Sequence, residues 1–126
     1  LNNMSPLLVL DESGVRYAVG ASGGRRITNC VTSIVVNMLD FGYGPQVAID
    51  VPRIDCSTPL TIIDGRVDSN IIDELRARRH HISAIDPMYT TQGMSPFASP
   101  VALTRLYDGL KGGADTFHSA YTDGLK

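Results

Sequence analysis

The stretch Gly20-Ala21-Ser22-Gly23-Gly24-Arg25-Arg26 bears most directly on chemistry. It joins residues 16–19, an apolar run with strand character, to a long apolar-periodic run that begins at Ile27 and reads as a helix. Two adjacent glycines let the backbone take positive φ and leave no side chain over the loop, so main-chain N–H groups can face a ligand or a reacting oxygen. The positive end of the following helix dipole falls at the same place. Such a join suits an anion. Phosphate is the first candidate, and the patterns fail: a Walker loop ends in Gly-Lys-Ser/Thr, whereas Arg25-Arg26-Ile27 follow the glycines here, and GxGxxG is absent as well. A tight strand-to-helix turn without a ligand is the plain alternative.

Other reactive side chains are less informative. His80 and His81 follow an arginine-rich helix end and read as a solvated cap; His118 sits near the tail, and no pair of histidines has metal-ligand spacing with a carboxylate. Thr90-Thr91 are internal, and a threonine nucleophile usually depends on its own free α-amino group as base. Cys30 and Cys56 are too few for a disulfide scaffold and lack CxxC spacing; both are expected to be buried free thiols.

The elements that must hold the glycine loop can be read in order. Residues 7–10 and 15–19 form a hairpin around the turn signal Asp11-Glu12-Ser13-Gly14, and its second strand delivers the loop. Ile27, Cys30, Val31, Ile34, Val35, Met38 and Leu39 recur at helical spacing, and the uncharged opposite face is expected to be covered too. Gly42 ends that helix, and Gly44-Pro45 opens a shorter one over residues 46–50, with Asp50 and Arg53 expected to form an ion pair at its end. Strands are expected at 53–56 and 60–63. Asp68-Ser69 caps a helix over 70–79 that buries Ile71, Ile72 and Leu75, and a strand follows at 82–85. Residues 86–100 are loop-like, and 101–107 with 110–117 form a last hairpin about Asp108-Gly109. The order indicates mixed α+β layers within one domain, not a regularly alternating parallel sheet.

Of the 126 residues 43% are hydrophobic, enough to bury a real core, and the net charge of −2 supplies no polybasic footprint for nucleic acid or an anionic membrane surface. No apolar run approaches the length of a membrane span, and residues 1–3 have neither the basic nor the apolar region of a signal peptide.

Leu1-Asn2-Asn3-Met4-Ser5-Pro6, residues 19–27 around Gly23-Gly24, Leu39-Asp40-Phe41-Gly42 and the run from Ala48 to Arg53 together resemble the γ-glutamyltransferases, in the C-terminal part of their small subunit. The likeness is ordered over about the first 55 residues and fainter to the tail. It implies part of a four-layer αββα N-terminal-nucleophile hydrolase fold. In that family a precursor cuts itself to expose a threonine, which attacks a γ-glutamyl amide; the acyl group then passes to water or to an amino acid or peptide acceptor. The resemblance assigns Gly23 and Gly24 the oxyanion-hole N–H groups. It sets Asn2 and Asn3 where the family has two serines that hold the substrate carboxylate. That difference leaves room for a related acylase, of cephalosporin-acylase or poly-γ-glutamate-processing type.

No cofactor is implied, and the partners implied are γ-glutamyl compounds such as glutathione. The family's nucleophile and large subunit lie upstream of the matched region. The chain is therefore expected to be a fragment over residues 1–126, inactive alone and prone to self-association through exposed apolar surface. A periplasmic or secreted location is suggested by the family only. A non-catalytic binding or assembly module that keeps the fold is the alternative.

Overall fold

Alternating apolar residues pair Leu7–Asp11 (β1) with Gly14–Ser22 (β2) as an antiparallel hairpin, in which Leu7 faces Val19 and Val9 faces Tyr17 across the strands. The computed structural model describes residues 5–88, 95–117 and 122–123. Asn2, Asn3, Thr90, Thr91 and His118 lie outside the described residues. β2 continues past the expected strand to Ser22, so the ladder runs up to the glycine pair itself. Its other neighbour is Ser99–Leu106 (β6), which pairs with Gly109–Ala114 (β7) through the expected last hairpin, giving the sheet order β1-β2-β6-β7.

Ile27–Leu39 (α1) and Pro45–Asp50 (α2) cover one face of this sheet. The stripe of α1 buries Ile27, Cys30, Val31, Ile34 and Met38 against Tyr17, Val19 and Ala102 from the sheet and Ala48 and Ile49 from α2. Burial of such side chains stabilises by about 2 kcal/mol each relative to exposure. Leu39, expected on the stripe, is exposed because the chain turns away at Gly42 (φ 68), where Tyr43 N–H closes the helix on Asn37 O at 3.1 Å. Thr28, Thr32 and Val36 on the opposite face are also exposed in this chain.

α2 lies so close to β7 that a Cβ on Gly113 would stand 2.5 Å from Gln46 N, which only glycine permits. Gln46 seals the approach: its Oε1 accepts from the Ala114 N–H at 3.1 Å and its Nε2 donates to the Ala114 carbonyl at 2.9 Å.

A second, smaller sheet contains Ile54–Asp55 (β3), Thr61–Asp64 (β4) and Ile82–Ile85 (β5). β3 is antiparallel to β4 and shorter than expected, whereas β4 and β5 are parallel. The crossover between them is Ser69–Ala77 (α3), capped by Asp68, whose carboxylate accepts from the Asn70 N–H at 2.8 Å. Ile72 is buried and Leu75 half-buried as expected, but Ile71 is exposed, since only a narrow edge of α3 meets the sheet. His80 and His81 connect α3 to β5 at the surface, as a solvated cap would. Cys30 is buried and Cys56 exposed, so the expectation of two buried thiols fails at Cys56, which follows the end of the short β3.

The end of β4 is fixed by charge. Asp64 has no side-chain exposure and is gripped by Arg66, with Nη2 at 2.6 Å and Nε at 3.0 Å. Burial alone would raise the carboxyl's affinity for a proton; the fork from Arg66 and the Arg66 N–H outweigh it and hold the group below its ordinary value. A depressed carboxylate contributes stability above its unfolded pKa and loses it as pH falls through the folded one. Unfolding midpoints recorded between pH 7 and pH 2 are therefore expected to drop on the acid side in the parent chain. The drop should be shallower in Asp64→Asn, which lacks the titrating group.

Candidate functional site at the glycine turn

The turn follows from the register of the larger sheet. Gly20 pairs with Val101, Ala21 with Pro100 and Ser22 with Ser99, so the next residue on each strand brings Gly23 against Ala98. Gly23 adopts φ 144 and ψ 20, and a Cβ there would lie 2.6 Å from Ala98 Cβ and 2.8 Å from Ala98 Cα. Gly24 adopts φ 60 with open space where a side chain would stand. Both need the left-handed half of backbone space, but only Gly23 also needs the absence of a side chain.

A single 3-10 turn, Gly24–Arg26, then leads into α1. The carbonyls of Gly23 and Gly24 accept from Arg26 N–H (3.3 Å) and Ile27 N–H. Among the described residues, the N–H groups of Gly23 and Gly24 donate to no turn or loop carbonyl. They sit at the start of a 13-residue helix, whose dipole adds positive potential there. Arg25, between them and the helix, is exposed.

Ala98 is itself in a left-handed conformation, φ 63, with its side chain wholly buried. The turn it ends is closed by Ser95, whose hydroxyl donates to the Ala98 carbonyl at 2.8 Å and accepts from the Phe97 N–H at 3.2 Å. Two arginines then hold this turn in place. Arg53 Nη1 donates to the carbonyls of Phe97 (3.4 Å) and Ala98 (3.2 Å), and its Nη2 pairs with Asp115 at 3.1 Å. Arg26 Nη1 donates to the Ser95 carbonyl at 3.0 Å.

The Arg53–Asp115 pair is almost completely buried, 3% and 0% exposed, and the guanidinium lies over the rings of Phe97 and Phe117. Removing one member of such a pair costs about 3–5 kcal/mol because the other charge is stranded. The expected Asp50–Arg53 ion pair does not form: Arg53 turns inward to Asp115, while Asp50 Oδ1 accepts from Gln46 and Thr116. Burial pushes the Cys30 thiol up, with the charge of Arg53 beside it opposing, so the sulfur stays protonated at neutral pH and serves packing.

Sequence reasoning located the glycines and missed what braces them. The partners of Arg53 are 44, 45 and 62 residues away and the Arg26–Ser95 contact spans 69, so no local spacing announces them. Among the described residues no group of His, Cys, Asp and Glu could hold a metal ion, and no helix is long and apolar enough to cross a membrane.

The family model described as Gamma-glutamyltranspeptidase matches residues 1–122. This chain belongs to the gamma-glutamyltranspeptidase family. A glutathione hydrolase proenzyme from Pseudomonas sp. (strain A14) is 38% identical over 53 residues, which is 42% of this chain and 9% of that protein. The acylase ACY 1 proenzyme of Pseudomonas sp. (strain SE83) is 25% identical over 80 residues, 64% of this chain and 14% of that protein. The match thus spans less than a sixth of either relative's length. In structure, the gamma-glutamyltranspeptidase from Pseudomonas nitroreducens complexed with L-DON superimposes with a TM-score of 0.81 at 19% identity, covering 100% of this chain and 64% of that one. That likeness bears on the fold, the mixed α+β arrangement that the order of elements led us to expect, and it is shared with that gamma-glutamyltranspeptidase.

The two glycines of this gamma-glutamyltranspeptidase-family turn should respond differently to one added methyl group. Gly23→Ala combines left-handed strain with overlap onto Ala98 backbone and is expected to cost about 3 kcal/mol. Gly24→Ala carries the strain alone, about 1 kcal/mol. Urea denaturation of the two variants measures the difference, and equal losses would contradict the close approach at Ala98.

Proposed function

We propose that the N–H groups of Gly23 and Gly24 form the oxyanion hole of an amidase acting on γ-glutamyl amides. In this reading residues 1–126 are one part of a longer protein. Its nucleophile, a threonine supplied by the rest of that protein, adds to the amide carbon, and the carbonyl oxygen takes the negative charge. Collapse of the tetrahedral species expels the amine, which leaves with a proton, and water or an amino acid or peptide amine then takes the acyl group.

One observation carries the assignment: two successive N–H groups, at positive φ, lie at a helix start and, among the described residues, are not consumed by the turn's own hydrogen bonds. A developing oxyanion is the anion such a nest suits once phosphate is set aside. Family membership supports the chemistry, and the glutathione hydrolase relative supports a γ-glutamyl donor such as glutathione. The acylase relative supports a second reading, the same machinery with another acyl group. Asn2 and Asn3 are then the residues that meet the donor's carboxylate, in place of a serine pair, and periplasmic or secreted location follows the family. The outer face of the larger sheet, with exposed Leu8, Val101, Leu103 and Leu110, is suited to a further layer of that longer protein and to self-association without it.

The 126-residue chain alone is expected to release no aniline from a γ-glutamyl anilide, and turnover would overturn the fragment reading. In the full-length parent protein, an ester in place of the Gly23–Gly24 amide replaces the Gly24 N–H by oxygen without demanding a new φ. It is expected to slow acylation about 100-fold with little change in substrate binding. Unchanged acylation would remove Gly24 from the oxyanion hole. Gly24→Pro is a poorer probe, since proline cannot adopt φ 60.

A further inference from the structure

Asp55 belongs to the smaller sheet, yet its carboxylate reaches the arginine that brackets the glycine turn. Its side chain is 3% exposed, and donors from two elements fix it: Asn29 Nδ2 to Oδ1 at 3.0 Å, Ser57 N–H to Oδ1 at 3.3 Å and the Ser57 hydroxyl to Oδ2 at 2.8 Å. Arg26 Nε stands 3.6 Å from Oδ2, an ion pair too long for a hydrogen bond. That Nε is buried and has no hydrogen-bond partner among the described residues. The carboxylate is therefore oriented by Ser57 and Asn29, and it presents a fixed negative charge to which the guanidinium must turn. From there Arg26 Nη1 takes hold of the Ser95 carbonyl.

We propose that Asp55 is a positioning residue. It sets the guanidinium of Arg26, Arg26 holds residues 95–98 beneath Gly23, and the aim of the glycine N–H groups follows. The inference rests on the oxyanion reading of Gly23 and Gly24 given above. Neutralising Asp55 leaves Arg26 without the charge that fixes its rotamer, and the Ser95 contact becomes one of several the side chain can make. Donors that are mis-aimed lose transition-state stabilisation while substrate binding is spared, because the hole is complementary to an oxygen that exists only after attack.

The test uses the full-length parent protein. Asp55→Asn is expected to lower kcat for acylation about tenfold with KM within about twofold. Arg26→Gln should do the same, and the double variant should be no slower than Arg26→Gln alone, since both act through one contact. A variant Asp55→Asn that loses thermal stability but keeps wild-type kcat below its midpoint overturns the role, as do losses that multiply in the double variant. If Asp55→Asn does not fold, Ser57→Ala frees Oδ2 and should show the same kcat-only loss at about threefold; unchanged kcat there overturns the role equally. The ester at Gly24 is run alongside. Normal acylation by the ester defeats the oxyanion reading itself, whereas slow acylation by the ester with normal Asp55→Asn kinetics defeats only the positioning role.

Discussion

The close approach of Gly23 to Ala98 dictates the geometry of the glycine turn and of everything that braces it. Two backbones meet there with no room for a side chain on one and only a methyl on the other, and both are in left-handed conformations. Neither conformation is favoured for an ordinary residue, so the surroundings must hold them. Strand register brings the pair face to face, Ser95 closes the turn, and the buried guanidinium of Arg53 binds its carbonyls while Asp115 balances the charge. Burying the Arg53 or Asp115 charge alone is costly, and each is offset by the other and by the carbonyls of Phe97 and Ala98.

This arrangement explains why residues far apart in the chain act on one turn. β6 supplies the opposing strand, the segment after α2 supplies Arg53, the segment after β7 supplies Asp115, and β3 supplies Asp55. The smaller sheet is therefore tied to the glycine turn by charge, through the Asp55–Arg26 pair. For the oxyanion role proposed for this turn, rigidity of this kind matters more than the number of contacts, since donors already aimed need no reorganisation during a reaction.

Most of the fold was legible from periodicity and turn chemistry. The α1 stripe up to Met38, the first hairpin, the Asp108-Gly109 turn of the last hairpin and the Asp68 cap lie where spacing placed them, because each is decided by residues within a few positions of one another; the last strand stops at Ala114, short of the expected residue 117. The errors have a common origin in long-range geometry. Local spacing pairs Arg53 with its sequence neighbour Asp50, whereas it crosses to Asp115; periodicity puts Ile71 in the core, whereas it faces solvent; and Cys56, a thiol of the usually buried kind, is exposed. The glycine pair was found because its chemistry is local. The braces at Arg53, Asp55 and residues 95–98 were not, because nothing in their own neighbourhoods marks them.

The oxyanion proposal turns on where the Gly23 and Gly24 N–H groups point once charge develops on the substrate oxygen. The direct measurement is a crystal structure of the longer protein proposed to contain this chain, bearing a γ-glutamyl-like boronic acid whose tetrahedral boronate mimics the proposed intermediate. One boron-bound oxygen is expected within about 3.2 Å of both the Gly23 and Gly24 nitrogens. A boronate whose oxygens are held elsewhere, with the glycine N–H groups turned away, would contradict the proposal.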